Sequence, residues 1–339
     1  MILANAMAAV MWLGVTLYAL FAGADFGAGF WDLVAGGARR GEAQRALIEH
    51  SIGPVWEANH VWLIFVLVVM WTCFPPLFGA VASTLWIPLT LAAFGIICRG
   101  SAFAFRKAVT ALWQRRLFGA AFAVSSVITP FFLGTIAGAV ASGQVPVGIG
   151  RGNALTSWTQ PLSLVAGILA VAVCAYLAAV YLTADARRAG DVRLLAQIRR
   201  RALGAGVAGG IVAIAGLVAV HIDAPRLGAG LAGRALPLVV ISILGGVASL
   251  GLLYWGRFHL ARGASAVAVA AVLWGWAVGQ YPNLLDSGLT IEGAAAVQSV
   301  LAATAICLGV GAVILVPSLT WLYLLFQRGP ASGSGAGST

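Results

Sequence analysis

The chain reads as a succession of long apolar runs separated by short polar connections, without the period-two alternation of a half-buried strand. Each run approaches the ~20 residues that an α-helix needs to cross the hydrocarbon core of a bilayer. Nine such spans are predicted, over about 5–35, 55–74, 79–105, 117–141, 160–183, 203–222, 237–256, 264–282 and 297–326. The first, third and ninth exceed the required length and should tilt or project. Continuous apolar runs select helices over a barrel, and no strand is expected. Three prolines, Pro88, Pro130 and Pro317, are expected to interrupt spans. The fold class is thus an all-α polytopic membrane protein, with a single integral membrane domain over 1–328. A short amphipathic helix at the membrane surface is predicted from Arg39 to Ser51. The Gly/Ser-rich tail, 329–339, has the composition of a disordered segment.

Composition agrees: 61% of residues are hydrophobic, 9% are charged and the mean hydropathy is +0.98, which excludes a water-soluble globule. The formal charge of +10 raises nucleic acid as a partner, but the basic residues are nearly all Arg and are scattered over short loops. That distribution is a topology signal, and no nucleic-acid partner is expected. Arg39, Arg40, Arg45, Arg106, Arg115, Arg187, Arg199, Arg257, Arg262 and their neighbours fall on one side; Arg151, Arg226 and Arg234 fall on the other. The N-terminus is therefore expected outside and the C-terminus in the cytoplasm, which requires an odd number of spans. The N-terminal run lacks a charged leader and a cleavage site, and reads as a retained span. Cys73, Cys98, Cys174 and Cys307 lie singly in apolar runs and read as small buried hydrophobes.

Against this background the ionisable residues inside spans stand out, because such groups usually face a bundle interior or a wet cavity. Asp25 and Asp32 share a helical face with Ala28 and Gly29, small residues that let a second helix approach. Glu57 and His60 share a face at i, i+3, beside Asn59. Asp25, Asp32, Glu57 and Arg99 all fall in the cytoplasmic half of their spans and are expected to converge there. They make either a path for protons or a buried ion-pair network. Glu57-x-x-His60 is half of a di-iron motif, but no second copy exists. His50 and His259 read as interfacial and His221 as a span end, so His60 stands alone. No metal or cofactor ligand set is expected on this chain.

Four stretches carry a family resemblance: Gly23-Ala-Asp25-Phe-Gly27-Ala-Gly29, then Ser51-Ile-Gly-Pro54-Val-Trp56-Glu57-Ala-Asn59-His60-Val-Trp62, then Phe74-Pro75, then Arg99-Gly-Ser-Ala-Phe103-Ala-Phe105-Arg106. In order and approximate spacing they resemble subunit II of the cytochrome bd-type quinol oxidases, with Tyr281-Pro282 and Leu289-Thr290 extending the likeness towards the last span. The resemblance implies two four-helix bundles plus one extra helix, in a multi-pass protein of a prokaryotic plasma membrane. It implies a haem-bearing subunit I as partner, with haem b and haem d there, membrane lipid around the complex, and quinol as the substrate oxidised while O₂ is reduced to water.

It further implies a role in proton uptake for the carboxylate at Glu57, where the family usually has Asp, with Asp25 as a deeper relay or electrostatic partner. His60 and Asn59 would support the water chain, with Arg99 and Asp32 as electrostatic partners. His60, Ala104 and Glu292-Gly293 depart from the family's usual residues. Two other classes stay open: a structural scaffold for the haem subunit, and a proton-coupled secondary transporter with midplane carboxylates and broken helices.

Overall fold

The computed structural model describes residues 1–36, 41–52 and 56–327, with the side chains of Ile52, Trp56, Glu57, Ala58, Lys107, Leu112, Val316, Leu319 and 322–327 left outside that description. Arg39, Arg40 and the tail over 329–339 also lie outside the described residues. In chain order the helices are α1 (Ile2–Leu33), α2 (Glu42–Ile52), α3 (Trp56–Cys73), α4 (Pro75–Thr84), α5 (Trp86–Ala108), α6 (Leu112–Ala141), α7 (Pro161–Arg188), α8 (Val192–Asp223), α9 (Pro225–Ala232), α10 (Leu236–Tyr254) and α11 (Phe258–Gln280). A hairpin of β1 (Asn283–Leu285) and β2 (Leu289–Thr290) then leads through α12 (Ile291–Ala294) into α13 (Gln298–Gln327).

Helices α1, α3, α5 and α6 form one bundle and α7, α8, α10 and α11 a second, with α13 laid against α1 and α3. The seam between the bundles is the packing of α7 on α1 and α6. Eight of the described helices are long and apolar enough to cross a membrane, or nine if α3 and α4 are taken as one broken span. Cores lie at both ends of the first bundle and along the seam, whereas α8, α10 and α13 leave most of their apolar surface uncovered in this chain. Exposed Trp71 and Trp86 near one end, and Trp113, Tyr254 and Trp255 near the other, sit where interfacial aromatic belts are found.

Three expectations need correction. Residues 79–84 do not belong to the third span; they are the second half of α4, which is bent 118° from α3. The cause is local: Pro75 and Pro76 follow Phe74, whose backbone (φ −135°, ψ 60°) has left the helical region, as a residue before proline tends to do. Two of the three prolines interrupt nothing, since α6 runs through Pro130 and α13 through Pro317. Pro88 sits in the first turn of α5, where its missing N–H has no intrahelical partner to lose. A strand pair does exist: Leu285 and Leu289 are buried in the core formed by the start of α1, the end of α3 and α4. Only a few residues per strand are involved, too short for a period-two pattern to register.

The surface helix appears as α2, starting at Glu42. The scattered arginines also do more than mark topology. Arg45 donates to Gly36 O (2.7 Å), Arg115 to Val109 O (3.1 Å), Arg187 to Gly256 O (3.0 Å) and Arg234 to Gly279 O (2.8 Å). Each supplies a donor to carbonyls at or just past a helix C-terminus, which have no intrahelical partner.

Candidate functional site

Helix α1 carries Tyr18, Asp25 and Asp32 at intervals of seven residues, two turns or ~10.5 Å of rise each. Helix α5 carries Arg99 and Arg106 at the same interval. Both helices run in the same direction across the bundle, so the two series match rung for rung. Small residues make room: a side chain at Gly27 would meet Cys174 O of α7 at 1.8 Å, and one at Gly29 would meet Ser126 Oγ of α6 at 2.2 Å.

The middle rung is the pair Asp25–Arg99. Arg99 Nη2 donates to Asp25 Oδ1 at 2.6 Å and to its backbone oxygen at 3.1 Å, while Nη1 donates to Oδ2 at 2.8 Å. Arg99 Nε donates to Ser126 Oγ at 2.9 Å, and Ser126 Oγ in turn donates to Phe122 O at 2.6 Å. The guanidinium lies between the rings of Phe26 and Phe122, 5.0 and 4.9 Å from their centroids. Arg99 is 1% exposed and Asp25 4%. A planar fork that uses four donations and both faces is a task for Arg, not Lys.

The next rung lies towards the end of the bundle that holds α2. Asp32, 5% exposed, accepts from Arg106 Nη1 at 3.0 Å and from Arg45 Nε of α2 at 2.7 Å. Helix α2 is tied further: Gln44 Nε2 donates to Trp31 O at 2.7 Å, Gln44 Oε1 accepts from Arg201 of α8, and Ser51 Oγ donates to Asp185 Oδ2 of α7 at 3.1 Å. Asp185 also pairs with Arg262 of α11 at 2.7 Å. The surface helix therefore straps both bundles together at one end.

Asn59 is buried and His60 half-buried on α3. The His60 ring lies 5.9 Å from Phe26 and 6.3 Å from Tyr18, centroid to centroid. Glu57 belongs to the first turn of α3; its side chain is outside the described residues.

The sequence-predicted acids do not form one cluster. Asp25 meets Arg99, Asp32 meets a different pair of arginines two turns away, and the separation follows directly from their spacing on one helix. Sequence reading missed Arg45, Arg106, Ser126 and Gln44 as partners. A signal for Arg106 was present: it follows Arg99 at the same interval at which Asp32 follows Asp25. The cysteines are less uniform than expected, since Cys73 and Cys174 are buried but Cys98 is half-buried and Cys307 exposed. Among the described residues, no group of three or more His, Cys, Asp or Glu is placed to hold a metal ion.

Comparison with known proteins gives one answer. The family described as cytochrome bd terminal oxidase subunit II matches residues 3–326. The chain is 30% identical over 130 residues to cytochrome bd ubiquinol oxidase subunit 2 of Bacillus subtilis, covering 38% of this chain and 37% of that one. It is 26% identical over 196 residues to cytochrome bd-I ubiquinol oxidase subunit 2 of Escherichia coli K12, covering 55% and 50% of the two chains. These alignments span half the length of those relatives or less. In three dimensions it superposes on a chain of the bd oxidase from Geobacillus thermodenitrificans with a TM-score of 0.81 at 26% identity, covering 97% of this chain and 100% of the other. With its buried acid–arginine rungs, its paired bundles and a family match over nearly its full length, the chain belongs to the cytochrome bd terminal oxidase subunit II family.

Proposed function

We propose that this chain is the haem-free subunit of a quinol:O₂ oxidoreductase in a prokaryotic plasma membrane. It supports a haem-bearing subunit I and contributes a path for protons from the cytoplasm by way of Glu57 towards Asp25. In this reading the end that holds α2 faces the cytoplasm and the hairpin end faces outside. The complex oxidises quinol and passes the electrons to O₂ through haems held by the partner. The observation that carries the reading is the Asp25–Arg99 rung: a fully engaged charge pair inside an apolar bundle is rarely kept for packing alone.

Each group has a separate part. Glu57, in the first turn of α3 and one turn before His60, takes up the proton. Asn59 and His60, two and three residues further along α3, support the water chain. Asp25 acts as the fixed electrostatic partner rather than as a carrier, because Arg99 engages both of its carboxylate oxygens. Asp32, held between Arg45 and Arg106, sets the charge at the mouth. The test is Glu57→Gln and Glu57→Ala in the assembled oxidase, reconstituted in vesicles. Quinol oxidation per haem and proton uptake should fall by a factor on the order of 10². Complexes with full haem content and unchanged turnover would sink the path.

The saturation of Asp25 also favours a second reading, a scaffold that stabilises the haem subunit. It expects Asp25→Asn to lower the yield of assembled, haem-loaded complex while turnover per haem stays constant. The transporter reading loses the helix breaks expected at Pro130 and Pro317, which lie inside continuous helices, and keeps only the bend between α3 and α4.

A further inference from the structure

Two polar atoms deep in the first bundle are used by nothing described so far. Tyr18 Oη of α1 and His60 Nδ1 of α3 are both buried, and neither has a hydrogen-bond partner among the described residues. They are neighbours: the two rings lie 6.3 Å apart, and both stand against Phe26, at 6.4 Å for Tyr18 and 5.9 Å for His60. Phe26 in turn lies against Arg99. A phenol hydroxyl and an imidazole nitrogen shut away from water without partners are costly, and more so in hydrocarbon, where no solvent can compensate.

Position on α1 gives the coincidence its meaning. Asp32, Asp25 and Tyr18 follow one another at two-turn intervals along one face, from the α2 end towards the centre of the span. On the rungs at Asp32 and Asp25 a guanidinium from α5 supplies a partner. At Tyr18 the facing group comes instead from α3 and is His60, one of the departures from the family's usual residues. A tyrosine hydroxyl that both donates and accepts, opposite an imidazole nitrogen that does one or the other, suits a small dipolar molecule that can do both. Buried water has that chemistry and typically makes about three such bonds.

We propose that Tyr18 Oη and His60 Nδ1 are bridged by ordered water, making Tyr18 the innermost member of the polar line that starts at Asp32. Tyr18 is then a positioning residue: it holds water beside Phe26, next to the Asp25–Arg99 pair and nearer the centre of the membrane than either charge. The inference deepens the proton-path reading and rests on it for its functional part, while the water site itself stands independently.

The test is a cryo-electron microscopy map of the wild-type oxidase at a resolution that shows water, together with maps of Tyr18→Phe and His60→Leu. Density within hydrogen-bond distance of both Tyr18 Oη and His60 Nδ1, lost in both variants, is the expected result. A direct Tyr18–His60 contact, or a dry apolar gap between them, overturns the proposal in the wild-type map alone, so a variant that fails to assemble leaves it decidable. X-ray radiolytic footprinting gives a second readout: bound water should make Tyr18 label at a rate comparable to exposed tyrosines, and labelling at least tenfold slower counts against the site. Turnover separates the two readings. If the water is present and Tyr18→Phe oxidises quinol and takes up protons at the wild-type rate, the site stands and its place in a proton path falls.

Discussion

Replacing Arg99 by Met should destabilise the protein more than any other single change at the ladder. The substitution keeps an unbranched side chain of similar reach between Phe26 and Phe122 but removes every donor. Asp25, 4% exposed, then loses two hydrogen bonds of 2.6 and 2.8 Å and has no charge partner. Hydrogen bonds to charged groups contribute ~1.5–3 kcal/mol each, which sets a range of about 3–6 kcal/mol. Independently, removing one partner of a buried ion pair costs ~3–5 kcal/mol. The ranges overlap near about 4 kcal/mol, roughly a thousandfold in the folded-to-unfolded ratio.

The assay is equilibrium unfolding of the assembled complex in mixed micelles, for wild type, Arg99→Met, Asp25→Leu and the double variant. Because two apolar side chains can replace a buried pair at little cost, the double variant should be more stable than Arg99→Met alone, with a coupling of about 2 kcal/mol or more. A single-variant loss below about 1 kcal/mol, or strict additivity in the cycle, would refute the claim that this pair is a buried, mutually dependent unit.

Other positions follow the same logic. Gly27→Ala would place a methyl 1.8 Å from Cys174 O, so α1 and α7 must part; a loss of about 1–3 kcal/mol or more is expected in thermal unfolding, whereas Gly23→Ala, with its nearest neighbour at 3.6 Å, should be tolerated. Asp32→Asn should cost only about 1 kcal/mol in the same assay, since its arginines are 25% and 27% exposed and partly solvated. Gln44→Ala removes the link between Trp31 O and Arg201, and limited proteolysis should cut α2 several times faster while the transmembrane helices stay protected.

Much of the architecture was legible because the bilayer imposes it: a run of apolar residues long enough to span admits few conformations besides helix. The bends were harder to read. Pro75-Pro76 breaks the chain sharply and Pro130 does not, although both are prolines in apolar surroundings. What differs is that Phe74, ahead of two consecutive prolines, leaves the helical region, while Pro130 is embedded in a helix clamped by neighbours on both sides. Of the site, Asp25 and Arg99 were legible as charges that needed company, but not their pairing, since a single sequence does not say which helix neighbours which. The strap made by α2 was legible as an amphipathic helix and no further, because its partners, Asp185 and Arg201, lie on α7 and α8.

The rung at Asp25 has a bearing on how the chain enters the membrane. A guanidinium at the centre of a lone helix opposes insertion by ~2.5–3.5 kcal/mol, and α5 carries Arg99 there. The carboxylate that answers it sits on α1, which leaves the ribosome first, together with Phe26, one of the two rings that flank the guanidinium. Chain order thus delivers the acceptor before the charge. The matched interval on α1 and α5 then acts as a vernier: if α5 slid by one heptad, Arg106 would meet Asp25 but Arg99 would be stranded deeper in lipid. Only one depth of α5 satisfies both arginines, so the ladder gauges how far the helix has gone in.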